Sequence, residues 1–406
     1  MHPQELSIKD FTYDLPTERI ALFPANPRDS SRLLIYRRGE IKEDIYRNIA
    51  EFLPSDTALV FNDTRVIKSR ILFSKPTGAA IEVFCLEPFN RFTNYDSLFQ
   101  QTHAVLWKCM IGKAGKWKEK ELHKIVVINH TNVTLTASLV QKLPDAYVVR
   151  FSWTPGHFSF GDVIEVAGVT PLPPYIKRAA NKDDEVSYQT VYSEHEGSVA
   201  APTAGLHFTT NMLNAFAQKG ITSLFTTLHV GAGTFKPVNS DTMEGHKMHG
   251  EWQYITIPFL EQLLNNIDRK IIGIGTTATR TLESIYWMGN KILNRGDLSI
   301  AELKISQWEV YEPQPIHSRR EAVAALIEFI LGKNLNYLMI ETEIIIAPGY
   351  TYQMIEGLVT NFHQPKSTLL LLVAALIGSP WRKAYDYALT HGFRFLSYGD
   401  GCLLFP

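Results

Sequence analysis

Lys270-Ile271-Ile272-Gly273-Ile274-Gly275-Thr276-Thr277-Ala278-Thr279-Arg280 passes from a buried strand directly into a helix. The uninterrupted apolar positions 271, 272 and 274 read as a strand covered on both faces. The glycine and threonines that follow suit a tight exit and a helix start, with the helix proper expected over residues 279–287. The same rhythm continues outward in both directions. A helix over 211–218 stops at Gly220, a suitable residue for a left-handed helix end, and a strand over 224–230 follows. Pro258 opens a helix to about residue 267; beyond the central stretch a helix over 320–331 precedes strands at 337–340 and 343–347. Such alternation predicts an α/β main domain around a mainly parallel sheet.

Between residues 59 and 166 the rhythm differs. Short strand-like runs such as Ile81-Glu82-Val83-Phe84-Cys85 and Tyr147-Val148-Val149-Arg150-Phe151 follow one another without a convincing helix. Many short strands with turn residues between them predict a small β-barrel-like domain. We therefore expect residues 1–66 and 156–406 to form the α/β catalytic domain, and 67–155 to be inserted into it.

The totals bound the function. The 406 residues are 45% hydrophobic and 20% charged, as expected of a globular protein with more than one core. The longest apolar run, residues 369–377, is far short of the ~20 residues that span a bilayer, and the N-terminus has no secretory pattern; no membrane partner and a cytoplasmic location are expected. Three scattered cysteines, Cys85, Cys109 and Cys402, build neither a disulfide framework nor a zinc or iron–sulfur spacing.

Histidine is unevenly placed: five of 13 fall within residues 195–249, where even spacing would put fewer than two. His207, His229, His246 and His249 stand beside glycine or other small residues, an arrangement that leaves room for a ligand next to an acid–base group. Some of these can equally be packed histidines bonded to backbone. His246 and His249 have a three-residue spacing that zinc could use, but no His-Glu-x-x-His pattern exists and no metal is expected. The Gly275–Arg280 string can hold an anion on free N–H groups at a helix start, or merely cap the helix through threonine.

Taken together, several strings resemble signatures of the S-adenosylmethionine:tRNA ribosyltransferase-isomerase family. They are Phe11-Thr12-Tyr13-Asp14-Leu15-Pro16, Pro27-Arg28-Asp29-Ser30-Ser31-Arg32-Leu33-Leu34, Phe61-Asn62-Asp63-Thr64-Arg65, and Ala201-Pro202-Thr203-Ala204-Gly205-Leu206-His207-Phe208. Pro171-Leu172-Pro173-Pro174-Tyr175-Ile176, Thr360-Asn361-Phe362-His363-Gln364-Pro365 and Ser397-Tyr398-Gly399-Asp400 extend the resemblance nearly to the end of the chain. Two features depart from it. Ala278-Thr279 stands where the family usually shows Ser-Val, and residues 292–341, with Gln307-Trp308-Glu309-Val310-Tyr311, look longer than in many members.

The resemblance implies a chemistry. S-adenosylmethionine would be a ribosyl-donating co-substrate, with no prosthetic group. The partner would be tRNA carrying 7-aminomethyl-7-deazaguanine at the wobble position, and the products epoxyqueuosine-tRNA, adenine and methionine. Candidates for proton transfer are His207, His229, His246 and His249, with Asp14, Asp63 and Glu251 as carboxylate partners. Arg28, Arg65, Thr276, Thr277, Arg280, Asn361 and His363 are candidates for holding the co-substrate or tRNA. In the inserted segment Lys113, Lys116 and Lys118, with Trp107 and Trp117 nearby, form a candidate tRNA surface; the alternative is a solvated hairpin whose lysines protect an edge strand. An ordinary methyltransferase would be expected to show a glycine-rich loop after an early strand, which is missing. A non-catalytic RNA-binding module would have no use for the polar strings of the α/β half.

Overall fold

The computed structural model describes residues 2–75, 77–89, 95–231, 238, 240–248 and 250–406. An antiparallel hairpin, β1 (Arg32–Arg37) and β2 (Glu40–Ile45), precedes β3 (Thr57–Asn62) and the short β4 (Thr64–Val66). Next come β5 (Arg70–Ser74), β6 (Ala80–Pro88), helix α1 (Tyr95–Phe99), β7 (Ala104–Gly112), β8 (Glu121–Ile128), β9 (Thr131–Lys142) and β10 (Tyr147–Thr154). Helix α2 (Phe160–Ala167), β11 (Gly168–Val169), α3 (Lys182–Ser187) and β12 (His195–Ser198) connect to the second half. That half contains α4 (Thr210–Gln218), β13 (Thr222–His229), β14 (Glu251–Thr256), α5 (Ile257–Asn265), β15 (Lys270–Ile274) and α6 (Gly275–Arg295). It closes with α7 (Arg319–Gly332), β16 (Tyr337–Thr342), β17 (Gly357–Asn361), α8 (Thr368–Ile377), α9 (Trp381–Thr390) and β18 (Gly401–Phe405).

Among the described residues the larger sheet has nine strands in the order β16-β14-β13-β3-β15-β17-β18-β1-β2. Its centre, β13-β3-β15-β17, is parallel, as is the β18–β1 pair; β16–β14, β14–β13, β17–β18 and β1–β2 are antiparallel. The sheet is therefore mixed and not mainly parallel. Two connections explain the difference. The Arg38-Gly39 turn, with both residues at positive φ, joins β1 to β2 as a hairpin, which only antiparallel neighbours allow. Two consecutive helices, α8 and α9, lie between β17 and β18, so the chain re-enters the sheet in the opposite sense.

Strand alternation divides the core. On β3, Ala58 and Val60 face one side and pack with Leu260 of α5, Leu282 of α6 and Leu371 of α8. Leu59 and Phe61 face the other and pack with Phe208 and with Met212 and Phe216 of α4. All six residues of β3 are buried and its middle four, Ala58 to Phe61, are apolar, as expected of a strand covered on both faces. The strand expected over 343–347 is instead an extended buried segment outside any ladder. Side chains satisfy its backbone: Arg280 Nε donates to Ile344 O at 3.2 Å, and Tyr311 Oη donates to Ile345 O and accepts from the Ala347 N–H.

Among the described residues the second sheet has seven strands, β11-β5-β6-β7-β10-β9-β8, with antiparallel neighbours throughout. It curls until β5 and β8 lie against each other without pairing, giving a half-closed barrel. Helix α2 fills the opening: Phe160, Val163 and Ile164 pack with Trp107, Phe151 and Leu135 in one core. Both Trp107 and Trp117 belong to that core, so neither is a surface on which a base could stack.

Candidate active site

Three elements end at one cleft. Gly275, Thr276 and Thr277 come from the head of α6, Thr360 and Asn361 from the end of β17, and the Ala200–Ala204 stretch from the chain before α4. The walls of the cleft are largely apolar, with Ala200, Ala201, Val230, Phe362 and Leu369 among them. Gly275 has φ +88°, a conformation that turns β15 sharply into α6 and favours glycine. The hydroxyl of Thr277 is buried without a hydrogen-bond partner among the described residues. At the rim Tyr175 Oη and Ser397 Oγ bond at 2.6 Å.

A polar chain runs from this cleft into the protein. Thr203 Oγ1 donates to Asn361 Oδ1 at 2.8 Å, and Asn361 Nδ2 lies 3.1 Å from Nε2 of His207. Ser31 Oγ, 3.0 Å from His207 Nδ1, itself donates to the Arg28 carbonyl. This order places the ring proton on Nδ1, since Nε2 must accept from the amide. His207 stacks on Tyr46 at 4.4 Å. Burial, together with the cations of Arg394 and Arg28, lowers its pKa to about 3, so the ring is neutral. His363, at the same cleft, is likewise lowered to about 3 by burial, and its Nε2 bonds Thr360 Oγ1 at 2.8 Å.

A second cleft shares Val230 with the first and lies toward the barrel. Its lining combines His229, Gly231, Gly250 and Glu251 of the main sheet with Tyr95, Glu87, Lys108 and Asp145 of the barrel side. His229 is packed on Tyr95 at 4.3 Å and bonds Thr64 Oγ1 through Nδ1 at 2.9 Å. Burial and the neighbouring His195 lower it to about 3. Behind it Asp63 accepts from Thr227 Oγ1 at 2.7 Å, and ligand atoms of Asp63, Glu194 and His195 lie within 4.8 Å of one another. Burial pushes the Asp63 carboxyl up to about 6 against that hydrogen bond and the nearby imidazole. Glu251 forms a buried ion pair with Arg280, which rises from α6.

Two adjoining clefts that share Val230 can hold one ligand beside another, with neutral imidazoles and a carboxyl of raised pKa close by. The family model described as queuosine biosynthesis protein matches residues 8–404. Curated relatives named S-adenosylmethionine:tRNA ribosyltransferase-isomerase include one from Desulfitobacterium hafniense, 35% identical over 98% of this chain and 100% of its own. Another, from Geotalea uraniireducens, is 36% identical over 98% of this chain and 100% of its own. A crystal structure titled S-adenosylmethionine tRNA ribosyltransferase, from Thermotoga maritima, aligns with a TM-score of 0.45 at 25% identity, over 97% of this chain and 99% of that one.

The chain belongs to the S-adenosylmethionine:tRNA ribosyltransferase-isomerase family. It is thus an enzyme of the queuosine pathway.

Not every residue singled out from the sequence reaches a cleft. Thr276, Thr277, Asn361 and His363 line the first, and His229 and Glu251 the second; His207, Asp63 and Arg280 stand directly behind. Arg28 is spent on backbone, donating to Gln189 O at 2.9 Å and Val186 O at 3.1 Å. Asp14 is exposed and lines neither cleft, and Arg65 pairs loosely with Glu196 at 3.8 Å in a separate groove. His246 lies outside both clefts, and His249 falls outside the described residues. The extra segment has a visible task beside His246: Gln307 donates to His246 O at 2.8 Å and accepts from the Met248 N–H at 3.0 Å. Lys113, Lys116 and Lys118 are exposed at the β7–β8 tip. The sequence reading missed Thr203, Tyr175 and Tyr95. The first two lie inside the family strings, whereas Tyr95 gave no signal because only the fold brings it to His229.

Proposed function

We propose that this enzyme transfers and isomerises the ribosyl moiety of S-adenosylmethionine onto 7-aminomethyl-7-deazaguanine at the tRNA wobble position, yielding epoxyqueuosine-tRNA, adenine and methionine. The observation that carries this reading is the family match across nearly the whole chain. The first cleft supports it. A largely apolar cleft with a few polar side chains suits a nucleoside, and the head of α6 suits hydroxyl or carboxylate oxygens.

The sulfonium acidifies the adjoining ribose 5′-carbon, so a base can take one proton and leave an ylide. Adenine departs with a proton gained, the aminomethyl nitrogen bonds to a ribosyl carbon and loses one, and ylide closure to the epoxide releases methionine. No step changes oxidation state. We assign proton transfer to the second cleft and its backing groups, with His229 and Asp63 foremost and His249 as the candidate beyond the described residues. Asp63, raised to about 6, is poised nearest neutrality. His246, Asp14 and Arg65 are assigned no such role.

We read residues 67–155 as an inserted domain that meets the tRNA, with α2 closing its barrel although it follows the insertion in sequence. The exposed lysines of its tip supply sequence-independent phosphate contacts, and the enzyme works in the cytoplasm beside its tRNA. Among the described residues no helix is long and apolar enough to cross a membrane. The test uses S-adenosylmethionine labelled either in the ribose or in the methyl group, with tRNA bearing the aminomethyl base. Ribose label should enter the tRNA and methyl label should not; the reverse pattern would make the enzyme a methyltransferase.

A further inference from the structure

The hydrogen-bond chain behind the first cleft separates positioning from chemistry. Asn361 has two amide hydrogens and two oxygen lone pairs. His207 Nε2 takes one hydrogen and the Thr203 hydroxyl occupies one lone pair. Among the described residues, one N–H and one lone pair therefore remain on a side chain that lines the cleft. The amide cannot rotate to exchange its ends, because Nε2 would then face an oxygen. The imidazole cannot change tautomer while Ser31 Oγ, 3.0 Å from Nδ1, keeps its own hydrogen on the Arg28 carbonyl at 3.1 Å, because Nδ1 must then be the donor. Tyr46 holds the ring plane from one face.

We propose that His207 is a positioning residue and not an acid or base: with Thr203 it fixes the Asn361 amide so that its free N–H and free lone pair engage the edge of the adenine ring of S-adenosylmethionine. A side-chain amide matches adenine because the ring offers an acceptor nitrogen beside its amino donor. The apolar residues around it, Ala200, Ala201, Val230 and Phe362, suit the flat faces of that ring. An N–H held at a ring nitrogen also stabilises adenine as it departs, which is where charge develops. The inference rests on the assignment of the first cleft to S-adenosylmethionine.

The test compares His207→Ala, His207→Gln and Thr203→Val with the parent enzyme. It measures equilibrium binding of free adenine, KM for S-adenosylmethionine, and kcat against pH. Glutamine keeps an acceptor for the Asn361 amide but cannot titrate. His207→Ala should weaken adenine binding and raise KM by about tenfold, as expected for one or two lost hydrogen bonds. His207→Gln should recover most of that loss with the pH profile of the parent. Thr203→Val, at the cleft rim, should weaken adenine several-fold and guards against a folding defect in the alanine variant. A glutamine variant as slow as the alanine variant, with kcat down about 10²–10⁴-fold and adenine binding intact, would make His207 an acid–base catalyst and overturn the inference. Unchanged adenine affinity in Thr203→Val would overturn it too. A parent enzyme that binds neither adenine nor S-adenosylmethionine would instead remove the cleft assignment itself, before any variant is compared.

Discussion

Glu251 and Arg280 form a buried ion pair, with side chains only 6% and 8% exposed, that ties the first residue of β14 to the second turn of α6. Glu251 lines the barrel-side cleft while α6 begins at the other cleft, so the pair braces one against the other. Arg280→Met would leave a carboxylate buried without its cation and should cost about 3–5 kcal/mol. Adding Glu251→Leu should recover part of the loss. Urea denaturation of the two single variants and the double variant measures this, and simple additivity would mean the pair is not coupled.

Acid should destabilise the fold. His207, His229 and His363 are lowered to about 3 by burial, whereas an unfolded histidine titrates near 6.5. The unfolded chain therefore binds more protons below pH 6.5, and the stability present above that value is lost as pH falls toward 3. Asp63 opposes this, since its folded value of about 6 lies above the ordinary 3.8 and the native state takes up a proton between the two. The net difference near pH 5.5 is about two protons, or roughly 3 kcal/mol of stability per pH unit. Denaturation midpoints that stay level from pH 7 to pH 5.5 would contradict it.

Gly275→Ala should harm both stability and ligand binding. The added Cβ meets only ordinary contacts, 3.6 Å from Ala204 Cβ and 3.7 Å from Thr277 Oγ1, so crowding is slight. The φ of +88° is the obstacle, at a cost of about 1–2 kcal/mol. Relief would move the head of α6, where Thr276 and Thr277 line the cleft, and S-adenosylmethionine affinity should drop. A variant with parental stability and affinity would show that this turn tolerates a side chain.

Much of this architecture was legible in the residues. The helix ending before Gly220, the strand Lys270–Ile274 and the curled β-rich segment follow from periodicity and turn chemistry that the structure keeps. Strand direction was not legible, because a helix between two strands does not fix their sense when a second helix follows, as α8 and α9 do. Residues 343–347 were read as a strand because they are apolar and buried, yet Tyr311 and Arg280 satisfy their backbone from side chains far away in sequence. The site was partly legible. The histidine cluster brought His229 forward, the strand–glycine–helix string Thr276 and a family string Asn361, but only geometry shows that Arg28 is held by backbone carbonyls and that Trp117 is core.

The lysines of the β7–β8 tip should contribute to tRNA affinity through counterion release. Replacing Lys113, Lys116 and Lys118 with glutamine should weaken binding and reduce the salt slope by roughly two to three units if each touches phosphate. S-adenosylmethionine affinity should barely change, because the tip lines neither cleft. Parallel salt plots for parent and variant would place the tRNA elsewhere.

The central claim is that the ribosyl carbons of S-adenosylmethionine are transferred and its adenine and methionine are expelled. Purified enzyme with S-adenosylmethionine and tRNA bearing 7-aminomethyl-7-deazaguanine should release free adenine and methionine in equal amounts, each matching the epoxyqueuosine formed in the tRNA. Release of S-adenosylhomocysteine without adenine, or turnover of S-adenosylmethionine with the tRNA base unaltered, would contradict the account.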